Sequence, residues 1–202
     1  MSENKKSQIT ESDKLAWHDK TSHVLFWTVV VISLAIDLMS KAWAFSLVTL
    51  GSRITIIDGW LDFHSIYNRG AVFGLGKGGR WIFIIASVFA IIFIVQLFAR
   101  TKANQRVLQV LLAFVLAGAI GNMYDRIVFH KVRDFIEITL TIKGVPIWPY
   151  VFNFADIILV VGVACLMLGW ITGKFDMGCS RCPVATPLVI TEEKNISNQR
   201  QG

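Results

Sequence analysis

Val151-Phe152-Asn153-Phe154-Ala155-Asp156 opens the last apolar run of the chain, and residues 157–170 behind it carry no charge. Asn153 and Asp156 stand three residues apart, which on a helix places them on one face. A carboxylate inside a membrane span costs several kcal/mol, so such residues are rare and point to function. The rest of the sequence reads as a scaffold that brings further polar groups to Asp156.

Hydrophobic residues make up 54% of the 202 positions and the mean hydropathy is +0.56, high for a soluble chain of this length. Four runs, at about 23–47, 81–99, 107–128 and 150–172, match the ~20 apolar residues needed to cross a bilayer. Nearly all apolar content lies in them, so one membrane domain over 23–172 is expected, with polar tails at 1–22 and 173–202. The predicted fold class is an all-α membrane protein, a four-helix transmembrane bundle with a small extracytoplasmic β-ribbon and loop region. The net charge of +6 comes from scattered Lys and Arg without interleaved aromatics, which argues against nucleic acid. Three cysteines, Cys165, Cys179 and Cys182, do not make a disulfide framework, and Cys179-Ser180-Arg181-Cys182 reads most simply as tail thiols.

Residues 1–20 are mixed in charge and unpatterned, as in a mobile tail. Residues 24–36 followed by Ala42-Trp43-Ala44 have the outline of a cleavable leader, but Asp37 and Lys41 interrupt it, so an uncleaved first span is the better reading. Arg53-Ile54-Thr55-Ile56-Ile57 and residues 63–67 are rich in β-branched and aromatic side chains, with the turn signal Asp58-Gly59 between them. Ile136, Ile138, Leu140 and Ile142 alternate with polar residues and predict a second strand region. Gly-rich residues 70–79 read as a pliable cover over a cleft. Trp60, Trp81, Trp148 and Trp170 suit interfacial anchors. Lys and Arg are spread too evenly to fix orientation, but an even number of spans puts both tails on one side. The long tails and the basic turn at 100–106 favour the cytoplasm for them.

With ~1.5 Å of rise per residue, Asp37 lies ~20 Å along the first span, and Asp156 lies ~9 Å below the same far face on the returning fourth span. Asn122 and Asp125 fall near that face on the third span. Asp37, Lys41, Asn122, Asp125, Arg126, Asn153 and Asp156 therefore gather near the face opposite the tails, while the tail-side half of the bundle is almost free of charge. Asp37 and Lys41, four apart, can neutralise each other, either as a structural ion pair or with Lys41 reaching outward to a ligand. Asp125 and Arg126 read as a charge pair holding the loop after the third span.

Asp134 follows the third span and Asp156 opens the fourth, with enough chain between them to go out and return. Two carboxylates brought close share a proton at neutral pH. That supplies a base for a water molecule and an acid for a carbonyl. No Ser-His-Asp or Cys-His set is placed for the alternative. His18 and His23 lie on the tail side, while His64 and His130 read as surface histidines. No metal-ligand motif appears, so neither a metal nor a cofactor is expected.

These residues carry a resemblance. Asp37-Leu38-Met39-Ser40-Lys41, Asn68-Arg69-Gly70-Ala71-Val72-Phe73, Gly121-Asn122-Met123-Tyr124-Asp125-Arg126, Val132-Arg133-Asp134-Phe135 and Phe152-Asn153-Phe154-Ala155-Asp156 resemble, in order and spacing, the lipoprotein signal peptidase (signal peptidase II) family over roughly residues 25–172. The resemblance implies an intramembrane aspartic endopeptidase of the bacterial inner membrane. Such an enzyme removes signal peptides from prolipoproteins just before a diacylglyceryl-modified cysteine. It implies Asp134 and Asp156 as the catalytic dyad, with Asn68, Gly70, Asn122, Arg126 and Asn153 holding substrate and dyad. Asp37, Lys41 and Asp125 then have structural roles. Expected partners are the lipid-modified substrate and membrane lipids, for a monomer with its site near the outer leaflet. Val72, Gly74 and Ala117-Gly118 depart from the family pattern, which bears on the substrate groove and not on the dyad. A small proton-coupled transporter and a non-catalytic membrane scaffold are the other classes that place such residues in a bundle.

Overall fold

The computed structural model describes residues 14–70 and 79–175. Four helices, α1 (Lys20–Leu47), α2 (Arg80–Arg100), α3 (Arg106–Val128) and α4 (Phe154–Ile171), are each long and apolar enough to cross a membrane. At ~1.5 Å per residue the shortest still covers most of a ~30 Å hydrocarbon core. The expected spans are 23–47, 81–99, 107–128 and 150–172, and the fourth helix starts at Phe154, after a short strand, and not at 150. Residues 70–79 as a cover, the tail thiols Cys179 and Cys182, and the departures Val72 and Gly74 lie wholly or largely outside the described residues.

α3 is the central helix and packs against α1, α2 and α4. Its sequence explains this, because Ala113, Ala117, Gly118, Ala119 and Gly121 give it a low surface that neighbours can approach. A Cβ on Gly118 would lie 2.7 Å from the Ala155 carbonyl oxygen, and one on Gly162 would lie 2.7 Å from a Val115 methyl. The α3–α4 contact is thus set at backbone distance. Phe26, Val30, Phe98, Leu108, Leu112, Leu116 and Ile158 fill the core, with the Phe26 and Phe98 rings stacked at 4.0 Å. Val31, Ile82, Phe89 and Ile171 stay exposed, as lipid-facing side chains of a span do.

The sheet lies beyond one end of the bundle. β1 (Arg53–Ile57) and β2 (Leu61–Asn68) form the expected ribbon, and the turn between them places Gly59 at φ 71. The ribbon is half of a larger unit. β2 also pairs with β3 (Val132–Ile138), and β3 pairs with β6 (Val151–Phe152), giving an antiparallel order β1-β2-β3-β6. A small separate hairpin joins β4 (Thr141–Ile142) to β5 (Val145–Pro146). β3 starts four residues before the alternation at Ile136, so Asp134 sits inside a strand, opposite Ile66. β6 feeds directly into α4. The β3–β6 register, Ile136 opposite Phe152, therefore brings Asp134 beside the first turn of α4.

At the other end, residues 14–19 are docked, contrary to the expected mobile tail. The Ala16 amide donates to the Thr101 carbonyl at 2.8 Å and the Ala103 amide donates to the Lys14 carbonyl at 2.7 Å. Asp19 caps α1 by accepting from the Ser22 amide at 2.8 Å and the Ser22 hydroxyl at 2.7 Å. Arg106 reaches the same carboxylate at 3.1 Å. The Ser22 bonds, with Arg106, hold the Asp19 carboxyl down at about 2. Fully buried Gln109 donates to Ser22 Oγ at 3.1 Å and to the Lys102 carbonyl at 3.0 Å. The tail-side end is therefore low in charge within the spans but knotted by polar groups.

Candidate active site

Asn153 is the residue on which the site turns. Its backbone is extended and it stands just outside α4 as the N-cap, with Asp156 at the third helical position. The two do not share a helical face. They form a capping box: Asn153 Oδ1 accepts from the Asp156 amide at 3.1 Å, and the Asn153 amide donates to Asp156 Oδ2 at 3.2 Å. The Asn153 side-chain nitrogen then points away from the helix and donates to Asp134 Oδ1 at 2.7 Å. One residue thus fixes the carboxylates of β3 and α4 together.

Two other carboxamides complete the arrangement. Asn68, at the end of β2, donates to Asp134 Oδ2 at 3.0 Å, and its own oxygen accepts from the Gly70 amide at 2.9 Å. Asn122, on α3, donates to Asp156 Oδ1 at 2.8 Å. Its oxygen accepts from Asn153 at 3.2 Å and from Lys41 at 3.2 Å. Asp134 is 1% exposed and Asn153 is fully buried.

Lys41 does not reach outward. Fully buried, its ammonium lies 2.8 Å from Asp37 Oδ2, 3.2 Å from Asn122 Oδ1 and 3.6 Å from Asp125 Oδ2. An ammonium has three protons to place, and three acceptors surround it. Of the two readings of the Asp37–Lys41 spacing, the structural ion pair is the one observed. Asp37 also accepts from the Ala155 amide at 2.9 Å, tying α1 to the first turn of α4. Gly121 is needed here, because a Cβ at that position would collide with the Asp37 carboxylate.

Asp125 pairs with Arg133 and Lys41, not with its neighbour Arg126. Arg133 donates from Nη2 to Asp125 Oδ1 at 2.8 Å and from its amide to Oδ2 at 3.0 Å. The reason is helical geometry: adjacent side chains diverge, and Asp125 turns inward while Arg126 turns toward the loop. Arg126 instead donates to the Asn122 carbonyl at 3.2 Å and the Gly70 carbonyl at 3.4 Å. Sequence reasoning gave no role to Arg133, although it sits inside the Val132-Arg133-Asp134-Phe135 motif. His64 is also more than a surface residue. On the sheet its Nδ1 stands 2.9 Å from Glu137 Oε2, an ion-pair approach without hydrogen-bond alignment, and Arg53 holds the other Glu137 oxygen at 3.1 Å.

Burial pushes the Asp134 carboxyl up to about 7, and the nearby charge of Asp156 adds to the rise. The charge balance agrees. Asp37, Asp125, Asp134 and Asp156 gather with the cations Lys41, Arg126 and Arg133. One proton on the Asp134–Asp156 pair makes the whole cluster neutral. Among the described residues, no group of three or more His, Cys, Asp or Glu could hold a metal ion. The arrangement can bind a water molecule between an acid and a base, the requirement for general acid–base hydrolysis.

Residues 29–172 match the family model for signal peptidase (SPase) II. The chain belongs to that family. Among curated members it is similar to the lipoprotein signal peptidase of Clostridium novyi (strain NT), 32% identical over 140 residues, covering 69% of this chain and 93% of the relative. It is also similar to that of Shouchella clausii (strain KSM-K16), 36% identical over 142 residues, covering 70% and 89%. Two solved bacterial membrane enzymes share the fold, each 27% identical. One has a TM-score of 0.64 over 78% of this chain and 91% of its own, the other 0.61 over 76% and 94%. The resemblance read from the five motifs therefore holds, and the comparisons give no support to a transporter or a scaffold. All five motifs fall inside the region matched to signal peptidase II, whereas the docked residues 14–19 precede it.

Proposed function

We propose that this chain is an intramembrane aspartic endopeptidase that removes signal peptides from diacylglyceryl-modified prolipoproteins, cutting just before the lipidated cysteine. The observation that carries the reading is the pair Asp134 and Asp156, tied through Asn153 at the junction of sheet and bundle. Family membership supplies the substrate class.

In the resting pair Asp134 holds the shared proton, in keeping with its raised pKa of about 7. Asp156 is the base. It takes a proton from a water molecule as the oxygen attacks the scissile carbonyl. Asp134 gives its proton to the carbonyl oxygen, forming a neutral tetrahedral diol. Asp134 then takes back a hydroxyl proton while Asp156 protonates the departing amine, and the C–N bond breaks. Asn68, Asn122 and Asn153 keep the carboxylates in place, and Gly70 and Arg126 line the approach for the substrate backbone. Asp37, Lys41, Asp125 and Arg133 brace the helices beneath. No covalent intermediate forms.

Four spans put both ends of the bundle's chain on the side opposite the sheet. We assign that side to the cytoplasm of a bacterial cell, which places the dyad near the outer leaflet of the inner membrane. The basic residues Arg100, Lys102 and Arg106 of the tail-side turn support this. The working unit is a monomer, since the site draws on one chain. The test is purified protein in detergent with a diacylglyceryl-modified prolipoprotein and its unmodified precursor. A mass loss equal to the signal peptide, from the modified form alone, is expected. An intact modified precursor after incubation with folded protein would overturn the reading.

A further inference from the structure

A second group of charges lies outside the network around the dyad. Arg69, Arg80 and Lys131 have no carboxylate partner among the described residues. Arg69, Arg80, Phe129, His130 and Lys131 line one cavity of about 390 Å³. A second cavity of about 320 Å³ is also lined by Arg69 and Lys131, together with Ser65. The Ser65 hydroxyl is buried and has no hydrogen-bond partner among the described residues. Two cavities thus share a basic wall.

The side chains are held in place. The Lys131 ammonium stands 4.0 Å over the Tyr67 ring, and the Arg80 guanidinium stands 4.7 Å over the Trp81 ring. Arg80 also donates to Nδ1 of His130, a residue at φ 63 that turns the chain sharply after α3. α2 begins here with Gly79 as its N-cap, without a side-chain cap or an acid in the first turn. Its amide dipoles add to the positive field.

We propose that Arg69, Arg80 and Lys131 form a binding site for the phosphodiester headgroup of an anionic phospholipid. A phosphate could come from a lipid or from solution, and the position favours the lipid. The cluster lies where α2 enters the apolar region, and the side chains that follow face outward: Trp81 is 64% exposed, Ile82 70% and Phe89 68%. A headgroup at the basic wall would lay its acyl chains along that face, and its glycerol hydroxyls would meet Ser65. An anionic headgroup is attracted by about 1 kcal/mol for each Lys or Arg near the membrane surface. The site also touches the working parts of the protein, since Arg69 stands between Asn68, which holds Asp134, and Gly70, which accepts from Arg126. A bound headgroup would steady that corner.

The test is native mass spectrometry of the intact chain in detergent, titrated separately with phosphatidylglycerol, phosphatidylcholine and inorganic phosphate. A 1:1 phosphatidylglycerol adduct that inorganic phosphate does not displace is expected, with phosphatidylcholine bound more weakly. The Arg69→Gln/Arg80→Gln/Lys131→Gln protein should lose affinity on the order of a hundredfold, and Lys131→Gln alone about fivefold. Should the triple variant not fold, the single variant gives the same reading. Equal binding of the two lipids with no change in the variants would overturn the site. Displacement by inorganic phosphate at comparable concentration would overturn the lipid assignment.

Discussion

The carboxamide nitrogen of Asn153 donates to Asp134 Oδ1 at 2.7 Å while its oxygen caps the helix that carries Asp156. The distance between the two carboxylates is thereby coupled to the start of a helix. Asn153→Ala removes both functions and should lower kcat by about 10²-fold, with a stability loss of about 1 kcal/mol for the missing cap. Asn153→Asp keeps the capping oxygen and loses the nitrogen that donates to Asp134 and Asn122. It should show the activity loss with a smaller change in melting temperature. Normal turnover by Asn153→Asp would show that the bond to Asp134 is not needed.

The raised pKa of Asp134 sets a pH dependence with a definite sign. Below its unfolded value of 3.8 the group is protonated in both states and its contribution to stability is intact. Between 3.8 and about 7 only the folded chain keeps the proton, so stability falls as pH rises, and the loss is complete above about 7. Melting temperature should decline across this window in the native protein and stay flatter in Asp134→Asn, whose melting temperature is lowered at every pH because its amide nitrogen faces one of the donors Asn68 and Asn153. Activity should also fall as pH rises through about 7, where the pair loses its shared proton. Thermal melts and rate profiles over the same buffers check both.

Lys41 is a brace rather than a reactant. Lys41→Met would leave Asp37 buried without its counter-ion and Asp125 with Arg133 alone, at a cost of about 3–5 kcal/mol. Adding Asp37→Asn should restore part of that loss, because the orphaned charge is then gone. Melting curves of the single and double variants measure it; additive losses would mean the two side chains do not interact.

How much of this was legible in the sequence depends on which interactions cross between elements. The four spans follow from apolar run length, and the polar convergence followed from counting rise along them. The N-cap role of Asn153 does not follow from apolar run length, which starts the fourth span at 150. The Asn-x-x-Asp spacing was itself the signal, as the pattern of a capping box. β3 was started too late because Arg133 and Asp134 break the alternation that begins at Ile136, and their polarity serves the site rather than the sheet. The Asp125–Arg133 pair could not be read from spacing, since it depends on how the chain turns at His130. The knot at the tail-side end is hidden in the sequence because its buried members Ser22 and Gln109 are uncharged and interrupt the apolar runs only singly.

That knot yields a prediction that separates stability from activity. Gln109→Ala removes the buried side-chain donor to Ser22 Oγ and to the Lys102 and Ala103 carbonyls, at about 1–3 kcal/mol. Melting temperature should drop while kcat at a permissive temperature stays unchanged, because the site lies at the opposite end of the bundle. A fall in kcat without a change in melting would contradict this division.

The most direct test of the central claim is cleavage of a diacylglyceryl-modified prolipoprotein by Asp134→Asn and Asp156→Asn, each compared with the native protein for folding by thermal melting. The structure predicts folded variants and no released signal peptide from either. Substantial cleavage by either folded variant would contradict the assignment of the pair.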